Sequence, residues 1–450
     1  MNPLEESDIL IHGCIILPTI GREVVREGMI AIKNDKIRYV GKKSKAPRIK
    51  GEKVIDGRGK VAMPGLVNCH THLAMTLFRG IAEDQPLEKW LKETIWPLEA
   101  KLKPGDVCNG ALLGCLEMIK GGTTTFADMY FHEDQVAKAV EKAGLRAVLA
   151  QGILEAGVPR RGEKMLQDSV NFVRKYTGYA DGRVTAQMGP HTLYTCSLDL
   201  LAKVRQKASE LNVGIHMHLA ESEETVNQTK QKHGLAEVEL LEKIGFLGSD
   251  ILAAHCIHLT EKEMQLLAKH NVKVSYNPVT NMKLAQGTAK IQELMDLGVT
   301  VGIGTDGPAS NNNLDMFQSM KVAALLQKQY YKDPTVLPAQ TVLKMATTDG
   351  AKALGLEKTV GSLEVGKKAD VILLDFKKPH LTPVHDPYAN IVYSACRSDV
   401  DTVIVDGKIL MENKNVKTLD EEEVMLEAQK TATNLPKRKA PIAKFIKNFI

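Results

Sequence analysis

The sequence lacks paired cysteines, although its 450 residues include seven. An odd, dispersed set with no C-x-x-C pair is typical of reduced thiols, so we predict a cytoplasmic protein. The missing pairs exclude a zinc ribbon or finger, and also the small zinc deaminases, whose signature contains C-x-x-C. No run of about 18 apolar residues exists, so we expect no membrane span. The N-terminus has no basic region followed by an apolar run, so we expect no secretory signal.

A large excess of charge is also missing, because 59 basic residues face 54 acidic ones. The five extra basic residues all lie in the last fifteen positions, which contain no acid. The body of the chain is therefore balanced, and we expect no nucleic acid or anionic membrane as a partner. In the tail, apolar residues recur at helical spacing, and they are Ile442, Phe445, Ile446 and Phe449. We predict a C-terminal helix docked on the protein, with a membrane-touching helix as the alternative.

Between two strand-rich ends, the chain alternates short apolar runs with helical patterns. There are eight such runs, at residues 66–70, 123–128, 147–150, 184–188, 213–218, 251–255, 272–276 and 299–304. Strand and helix alternating eight times over about 250 residues predicts an α/β protein with a (β/α)8 TIM barrel. A doubly wound open sheet is the alternative. We place the barrel at residues 62–368.

The two ends of the chain both read as short strands separated by glycines. The pair Asp406-Gly407 between two alternating apolar runs is a strong hairpin signal. Strand-rich flanks around one barrel predict a small β-sandwich domain that both ends build together. We assign residues 1–61 and 369–450 to this domain, including the helical tail.

Histidines and one aspartate stand at the ends of several predicted barrel strands. His70 and His72 follow the first strand in an H-x-H pattern. Alternation places them on one face, about 7 Å apart along the backbone. Further candidates end strands 4, 5, 6 and 8, and they are His191, His216, His218, His255 and Asp306. Barrel active sites lie at this end of the strands, so the pattern predicts a metal site there.

The donor set indicates which metal and which chemistry to expect. Imidazole nitrogens with one carboxylate suit Zn²⁺ first, with Fe²⁺ or Mn²⁺ next. Such a metal lowers the pKa of a bound water towards about 7 and makes hydroxide available at neutral pH. The residues alone therefore predict metal-assisted hydrolysis.

Longer motifs around these residues resemble the amidohydrolase superfamily over almost the entire chain. The matching segments are residues 63–72 (MPGLVNCHTH), 218–221 (HLAE), 254–255 (AH), 304–306 (GTD) and 361–370 (GSLEVGKKAD). Within the superfamily, the chain most resembles the 5-methylthioadenosine/S-adenosylhomocysteine deaminase group, which includes 5'-deoxyadenosine deaminases. The segments that carry this likeness are residues 76–80 (TLFRG), 96–99 (WPLE), 189–191 (GPH) and 310–315 (SNNNLD).

The resemblance implies a role for each matching residue. The metal ligands of the family are matched by His70, His72, His218 and Asp306. This leaves His216 as a neighbour, although spacing alone does not choose between His216 and His218. Glu221, His255 and Asp306 match the catalytic residues. Glu221 is the proton shuttle to a purine ring nitrogen, and the other two hold the attacking water and take its proton. The implied substrate contacts are Glu99 at the ribose hydroxyls, His191 near the reacting ring, Gln151, Glu221 and Asp306.

Two positions qualify the resemblance. Binuclear relatives in the superfamily carry a modified lysine at the end of strand 4, where this chain has Gly189-Pro190-His191-Thr192. This implies one metal per subunit and favours deamination over amide or phosphoester hydrolysis. Where the group commonly has a substrate-contacting arginine, the chain has Gln151, which has no charge to meet a homocysteine carboxylate. Arg160 or Arg161 could compensate.

The expected function is hydrolytic deamination of the adenine ring of 5'-modified adenosines. The substrates to consider are 5'-methylthioadenosine, S-adenosylhomocysteine, 5'-deoxyadenosine and adenosine. The alternatives are a deaminase or chlorohydrolase acting on a triazine, guanine or cytosine ring, and a non-catalytic barrel that keeps the fold. The resemblance also implies a homo-oligomer, a dimer or tetramer, with a small nucleoside as substrate.

Overall fold

The chain begins with five strands that belong to a sheet outside the barrel. The computed structural model describes residues 5–19, 21–81 and 83–438. The five strands are β1 (Glu5–Ile16), β2 (Val25–Lys33), β3 (Lys36–Lys42), β4 (Ile49–Asp56) and β5 (Lys60–Pro64). The first eight residues of β1 pair with β4 and its last two residues pair with β5, both in parallel. A register shift at Gly13, whose φ is 79°, separates these two segments.

Eight parallel strands then form the barrel. They are β6 (Leu66–Thr71), β7 (Thr123–Tyr130), β8 (Arg146–Ile153), β9 (Val184–Pro190), β10 (Ile215–Leu219), β11 (Ile251–His255), β12 (Lys273–Tyr276) and β13 (Val301–Ile303). Neighbours in sequence are neighbours in the sheet. After β13, the amide of Asp306 donates to the carbonyl of His70 at 2.9 Å, which links the last strand to the first. The predicted barrel is confirmed.

The sheet outside the barrel is completed by the second end of the chain. Its remaining strands are β14 (Val371–Asp375), β15 (Val400–Val405), β16 (Lys408–Glu412) and β17 (Asn415–Val416). Antiparallel pairing of β14 with β5 joins the two chain ends, with Ile372 opposite Met63. The β-domain built from both ends is therefore confirmed as a mixed sheet, whereas its predicted residue boundaries stay a prediction.

Alternation along β5 and β14 explains how this sheet attaches to the barrel. Met63 and Ile372 belong to the apolar core shared with the barrel, whereas Ala62 and Leu373 belong to a separate core within the sheet. Side chains on opposite faces of one strand therefore pack in two different cores.

Helices surround the barrel, most of them on its outside. They are α1 (Leu87–Lys89), α2 (Trp96–Glu99), α3 (Pro104–Lys120), α4 (Glu133–Ala143), α5 (Pro159–Tyr176), α6 (Leu198–Leu211), α7 (Glu223–His233), α8 (Glu237–Lys243), α9 (Glu261–Lys269), α10 (Pro278–Lys283), α11 (Ile291–Asp296), α12 (Met316–Tyr331), α13 (Ala339–Met345), α14 (Thr348–Ala353), α15 (Pro387–Ala389) and α16 (Glu421–Asn434). A π-helical turn, Trp90–Ile95, joins α1 to α2. Within the described ranges, no helix has the length and apolar character needed to cross a membrane. The predicted tail helix lies, from residue 439 onwards, outside the described residues.

Candidate metal centre and active site

Three histidines and one aspartate from three barrel strands meet at the carboxyl end of the barrel. His72 Nε2 lies 3.3 Å from His218 Nε2 and 3.4 Å from Asp306 Oδ1. His70 Nε2 lies 3.5 Å from the same Asp306 oxygen. The three histidine nitrogens lie within 4.8 Å of one another, and Asp306 lies within 3.5 Å of two of them. The predicted ligands are therefore brought together.

The outer ring nitrogens of these histidines are occupied by the protein. His72 Nδ1 donates to the carbonyl of Met129 at 2.6 Å, and His218 Nδ1 donates to the carbonyl of His191 at 3.0 Å. Because a carbonyl only accepts, both rings carry their proton on Nδ1 and point a lone pair from Nε2 into the centre. This is the tautomer that metal binding requires.

His70 gives the most direct test of whether an ion fits. Its ring is fully buried, and Nε2 has no hydrogen-bond partner among the described residues. Its Nδ1 lies 2.8 Å from His216 Nε2. Burial lowers the pKa of His70 to about 4, so the ring is neutral at pH 7. A buried unpartnered lone pair is costly unless something binds it, so this donor set fits a divalent cation.

His216 lies beside the centre rather than in it. It is fully buried on β10, two residues before His218 and on the same face of the strand. Burial lowers its pKa well below the ordinary histidine value, so it is neutral. When His70 presents Nε2 to a cation, His70 Nδ1–H donates to His216 Nε2. This agrees with its expected place as a neighbour.

Two catalytic candidates border the centre. Glu221 follows β10, and its Oε1 lies 3.9 Å from His255 Nε2. Burial raises the pKa of Glu221 above its usual value. His255 Nδ1 lies 3.0 Å from Asn281 Oδ1 and 3.4 Å from Asn277 Nδ2. Sequence reasoning missed Asn281, because nothing in the local pattern of α10 distinguishes it.

The backbone bends sharply where these residues leave their strands. His255 and Asp306 have φ of 74° and 63°, and Ala220, just before Glu221, has φ of 48°. Left-handed conformations are uncommon for residues other than glycine and cluster at functional sites. Here they turn the chain at the rim of the barrel.

The predicted substrate contacts divide between two adjoining cavities. Glu99 and His191 line the cavity above the histidines, together with Glu221 and Asp306. Gln151 instead lines the neighbouring cavity, with Arg160 and Arg161. Its Oε1 accepts a hydrogen bond from the backbone amide of Glu133 at 3.1 Å, at the start of α4. Glu99 borders both cavities.

Apolar side chains form the wall of the first cavity opposite the histidines. This wall comes from α1, the π-helical turn and α2, and its residues are Leu87, Trp90, Leu91, Ile95 and Trp96. This composition suits a flat heterocycle, since aromatic and aliphatic walls exclude water while a few polar groups fix orientation. The sequence left the placement of Trp90 and Trp96 open, because an aromatic residue in a helix packs in a core equally well.

A second group of possible ligands lies outside the barrel and has a simpler explanation. His380, Cys396 and Asp399 approach one another near the surface. Asp399 Oδ2 accepts from the backbone amide of Cys396 at 2.9 Å and lies 2.9 Å from His380 Nε2. These contacts cap a short helical turn and form a hydrogen bond between two side chains, so we assign no metal there.

Comparison with known proteins gives a consistent result. The model of the amidohydrolase family matches residues 61–410. A 5'-deoxyadenosine deaminase of Methanosarcina acetivorans is 49% identical over 96% of this chain and 99% of its own length. A 5-methylthioadenosine/S-adenosylhomocysteine deaminase of Desulforudis audaxviator is 49% identical over 95% of this chain and 99% of its own.

A solved structure extends the likeness to three dimensions. A zinc-bound adenosine deaminase from Xanthomonas campestris superposes with a TM-score of 0.92 at 32% identity, covering 97% of this chain and all of that one (100%). Sequence, fold and converging ligands lead to the same family. This chain belongs to the amidohydrolase family.

Proposed function

We propose that this protein is a metal-dependent aminohydrolase that replaces the 6-amino group of 5'-modified adenosines with oxygen, releasing ammonia and the inosine analogue. The observation that carries the proposal is the convergence of three imidazole Nε2 atoms and one carboxylate oxygen beside Glu221 and His255. The names of relatives with about half their residues in common support this substrate class.

We assign one Zn²⁺ per subunit to His70, His72, His218 and Asp306, with Fe²⁺ or Mn²⁺ as substitutes. The zinc in the similar adenosine deaminase structure supports the choice. When bound, such an ion lowers the pKa of a water towards about 7. The protein contributes three imidazole rings and a carboxylate that already lie close together.

The proton steps fall to residues that surround this centre. His255 and Asp306 hold the attacking water and take its proton, because both line the cavity beside the proposed metal ligands. Glu221 donates a proton to the purine ring nitrogen beside C6. It then takes the proton of the hydroxyl now bonded to C6 and passes it to the amino group, which leaves as ammonia while the C6–O bond becomes a carbonyl. The proton taken from the water afterwards returns to Glu221. The raised pKa of Glu221 favours the protonated form that the first donation needs.

The remaining assignments concern how the nucleoside is held. Glu99 accepts hydrogen bonds from the ribose hydroxyls, and His191 contacts the substrate near the reacting ring. The hydrogen bond of Gln151 to the start of α4 argues for a weaker substrate contact than an arginine would make. Arg160 and Arg161 border the same cavity and are candidates to meet an anionic 5' substituent.

The setting of the protein completes the proposal. The dispersed cysteines support a cytoplasmic location, and the resemblance supports a homo-oligomer, a dimer or tetramer. We expect a small-molecule substrate and no nucleic acid or membrane partner.

A substrate panel with metal analysis tests the function. Purified enzyme is incubated with 5'-methylthioadenosine, S-adenosylhomocysteine, 5'-deoxyadenosine and adenosine, and ammonia release is measured. We expect turnover of at least one nucleoside by protein that holds one zinc per chain. Guanine, cytosine and a chlorinated triazine form the comparison arm. Turnover in that arm alone, or none with zinc bound, would contradict the proposal.

A further inference from the structure

The hydroxyl of Tyr130 is attached to the carboxylate that we assign to the ribose. Tyr130 is the last residue of β7, and its side chain is buried against the site. Its hydroxyl donates to Glu99 Oε1 at 2.7 Å. Its ring also lies 6.2 Å, between centroids, from the ring of His72. Tyr130 therefore connects the barrel rim, where the ligands lie, to the helical segment that carries Glu99.

Glu99 occupies an unfavourable place for a carboxylate. It is the last residue of α2, where the partial negative charge of the helix end opposes it. The walls around it include Trp96, Phe131 and Leu154, which provide no charge. Burial raises the pKa of Glu99 to about 7, and the hydrogen bond from Tyr130 acts in the opposite direction. The hydroxyl of Tyr130 favours the ionised form of this group and gives it a partner that fixes its orientation.

We propose that Tyr130 is a positioning residue that holds Oε1 of Glu99, so that Oε2 faces the vicinal hydroxyls of the substrate ribose. The inference rests on the proposed function. A hydrogen bond to a charged acceptor has strict geometry and fixes the rotation of the carboxylate. Without it, Glu99 keeps its place in the chain but not the orientation that accepts from the sugar.

Removing the hydroxyl separates this role from a structural one. Tyr130→Phe keeps the ring and its packing. We expect KM for 5'-deoxyadenosine to rise about tenfold with kcat changed less than about twofold, because one charged hydrogen bond is lost at a distance from the reacting ring. For 2',3',5'-trideoxyadenosine, which lacks both sugar hydroxyls, we expect the same KM in variant and wild type.

Two further variants make the test independent of folding. Tyr276→Phe is the matched control, since Tyr276 is buried on β12 and its hydroxyl accepts from Gln327 at 3.0 Å, away from the cavity. It should change neither KM. Glu99→Gln should raise KM for 5'-deoxyadenosine, and adding Tyr130→Phe to it should raise KM no further, because both changes remove one interaction.

The outcomes separate the inference from the proposed function. Equal increases of KM for both nucleosides in Tyr130→Phe, or independent increases from the Glu99 and Tyr130 changes, would overturn the role of Tyr130. A wild-type enzyme that turns over both nucleosides with equal KM would show that Glu99 does not bind the hydroxyls and would overturn the inference while deamination stands. If 5'-deoxyadenosine is not turned over, the comparison uses the panel nucleoside that is turned over and its 2',3'-dideoxy analogue. No turnover of any panel nucleoside would contradict the proposed function, and the inference with it.

Discussion

Glu221 is the residue whose side chain the proposed chemistry depends on most directly. It lies beside His255 with 18% of its side chain exposed. It is not among the side chains that lie close enough together to share an ion. We expect Glu221→Gln to lower kcat by about 10²–10⁴-fold, because an amide keeps the shape but does not transfer a proton. Metal content should stay at the wild-type value. Steady-state kinetics with metal analysis measure both, and exposed Glu223→Gln, at the start of α7, is the control. Loss of metal in Glu221→Gln would instead indicate a ligand.

His216 offers a second test at this scale. If it accepts from His70 Nδ1, then His216→Phe leaves that N–H buried and unpaired, and His70 loses its orientation. We expect metal affinity to fall about 10–100-fold, measured by competition with a chelator. The control is Met217→Leu, which changes a buried apolar neighbour on the same strand. Equal affinities for the two variants would contradict the orienting role.

At the scale of residues, the position of a side chain can be predicted from the sequence where it depends only on spacing along one strand. The convergence of His70 and His72 could be predicted because strand alternation places them on one face. The choice between His216 and His218 could not, because both share a face and only depth in the barrel separates them. Tyr130 was missed because its contact with Glu99 joins two elements whose relative placement the sequence does not state.

At the scale of elements, a buried ion pair joins the barrel to the outer sheet. Arg146 begins β8, and its guanidinium donates to Asp370 at 3.0 and 3.1 Å and to Asp406 at 3.1 Å. All three side chains are less than a tenth exposed. We expect Arg146→Ala to lower the free energy of unfolding by about 3–5 kcal/mol, because it leaves the buried carboxylate of Asp370 without its cation, whereas Asp406 keeps Lys368 at 2.9 Å.

Urea denaturation measures this effect, and a surface pair supplies the control. Lys408 on β16 lies 3.7 Å from Asp181, with side chains 68% and 78% exposed. Lys408→Ala should change stability by about 0–1 kcal/mol. A loss for Arg146→Ala no larger than this would show that the network does not hold the sheet to the barrel.

The strands of the barrel were easier to predict than those of the sheet. Parallel strands are covered on both faces, so each appears as a continuous apolar run, and all eight runs match β6 to β13. By contrast, β4 is mostly exposed and has no such run, so no pattern indicated it. The π-helical turn before Glu99 was also not predicted, because its residues fit an ordinary helix equally well.

At the scale of the whole molecule, the metal centre spans the closure of the barrel. His70 and His72 come from the first barrel strand and its end, and Asp306 follows the last, where its amide already donates to the carbonyl of His70. An ion bound to these residues and to His218 would stabilise the folded state without binding the unfolded chain. At a free metal concentration of 100 times Kd, this linkage is worth about 2.7 kcal/mol.

Metal removal should therefore lower the midpoint of thermal unfolding as well as abolish activity. We expect dialysis against a chelator to lower the midpoint and added Zn²⁺ to restore it in a concentration-dependent manner, measured by calorimetry. His218→Ala should weaken this dependence, because β10 then contributes no ligand, whereas Met217→Leu should retain it. If zinc-loaded and metal-free protein unfolded at the same temperature, the four residues would not share an ion that ties the first and last strands together. The metal that activity requires would then make no contribution to holding the barrel closed.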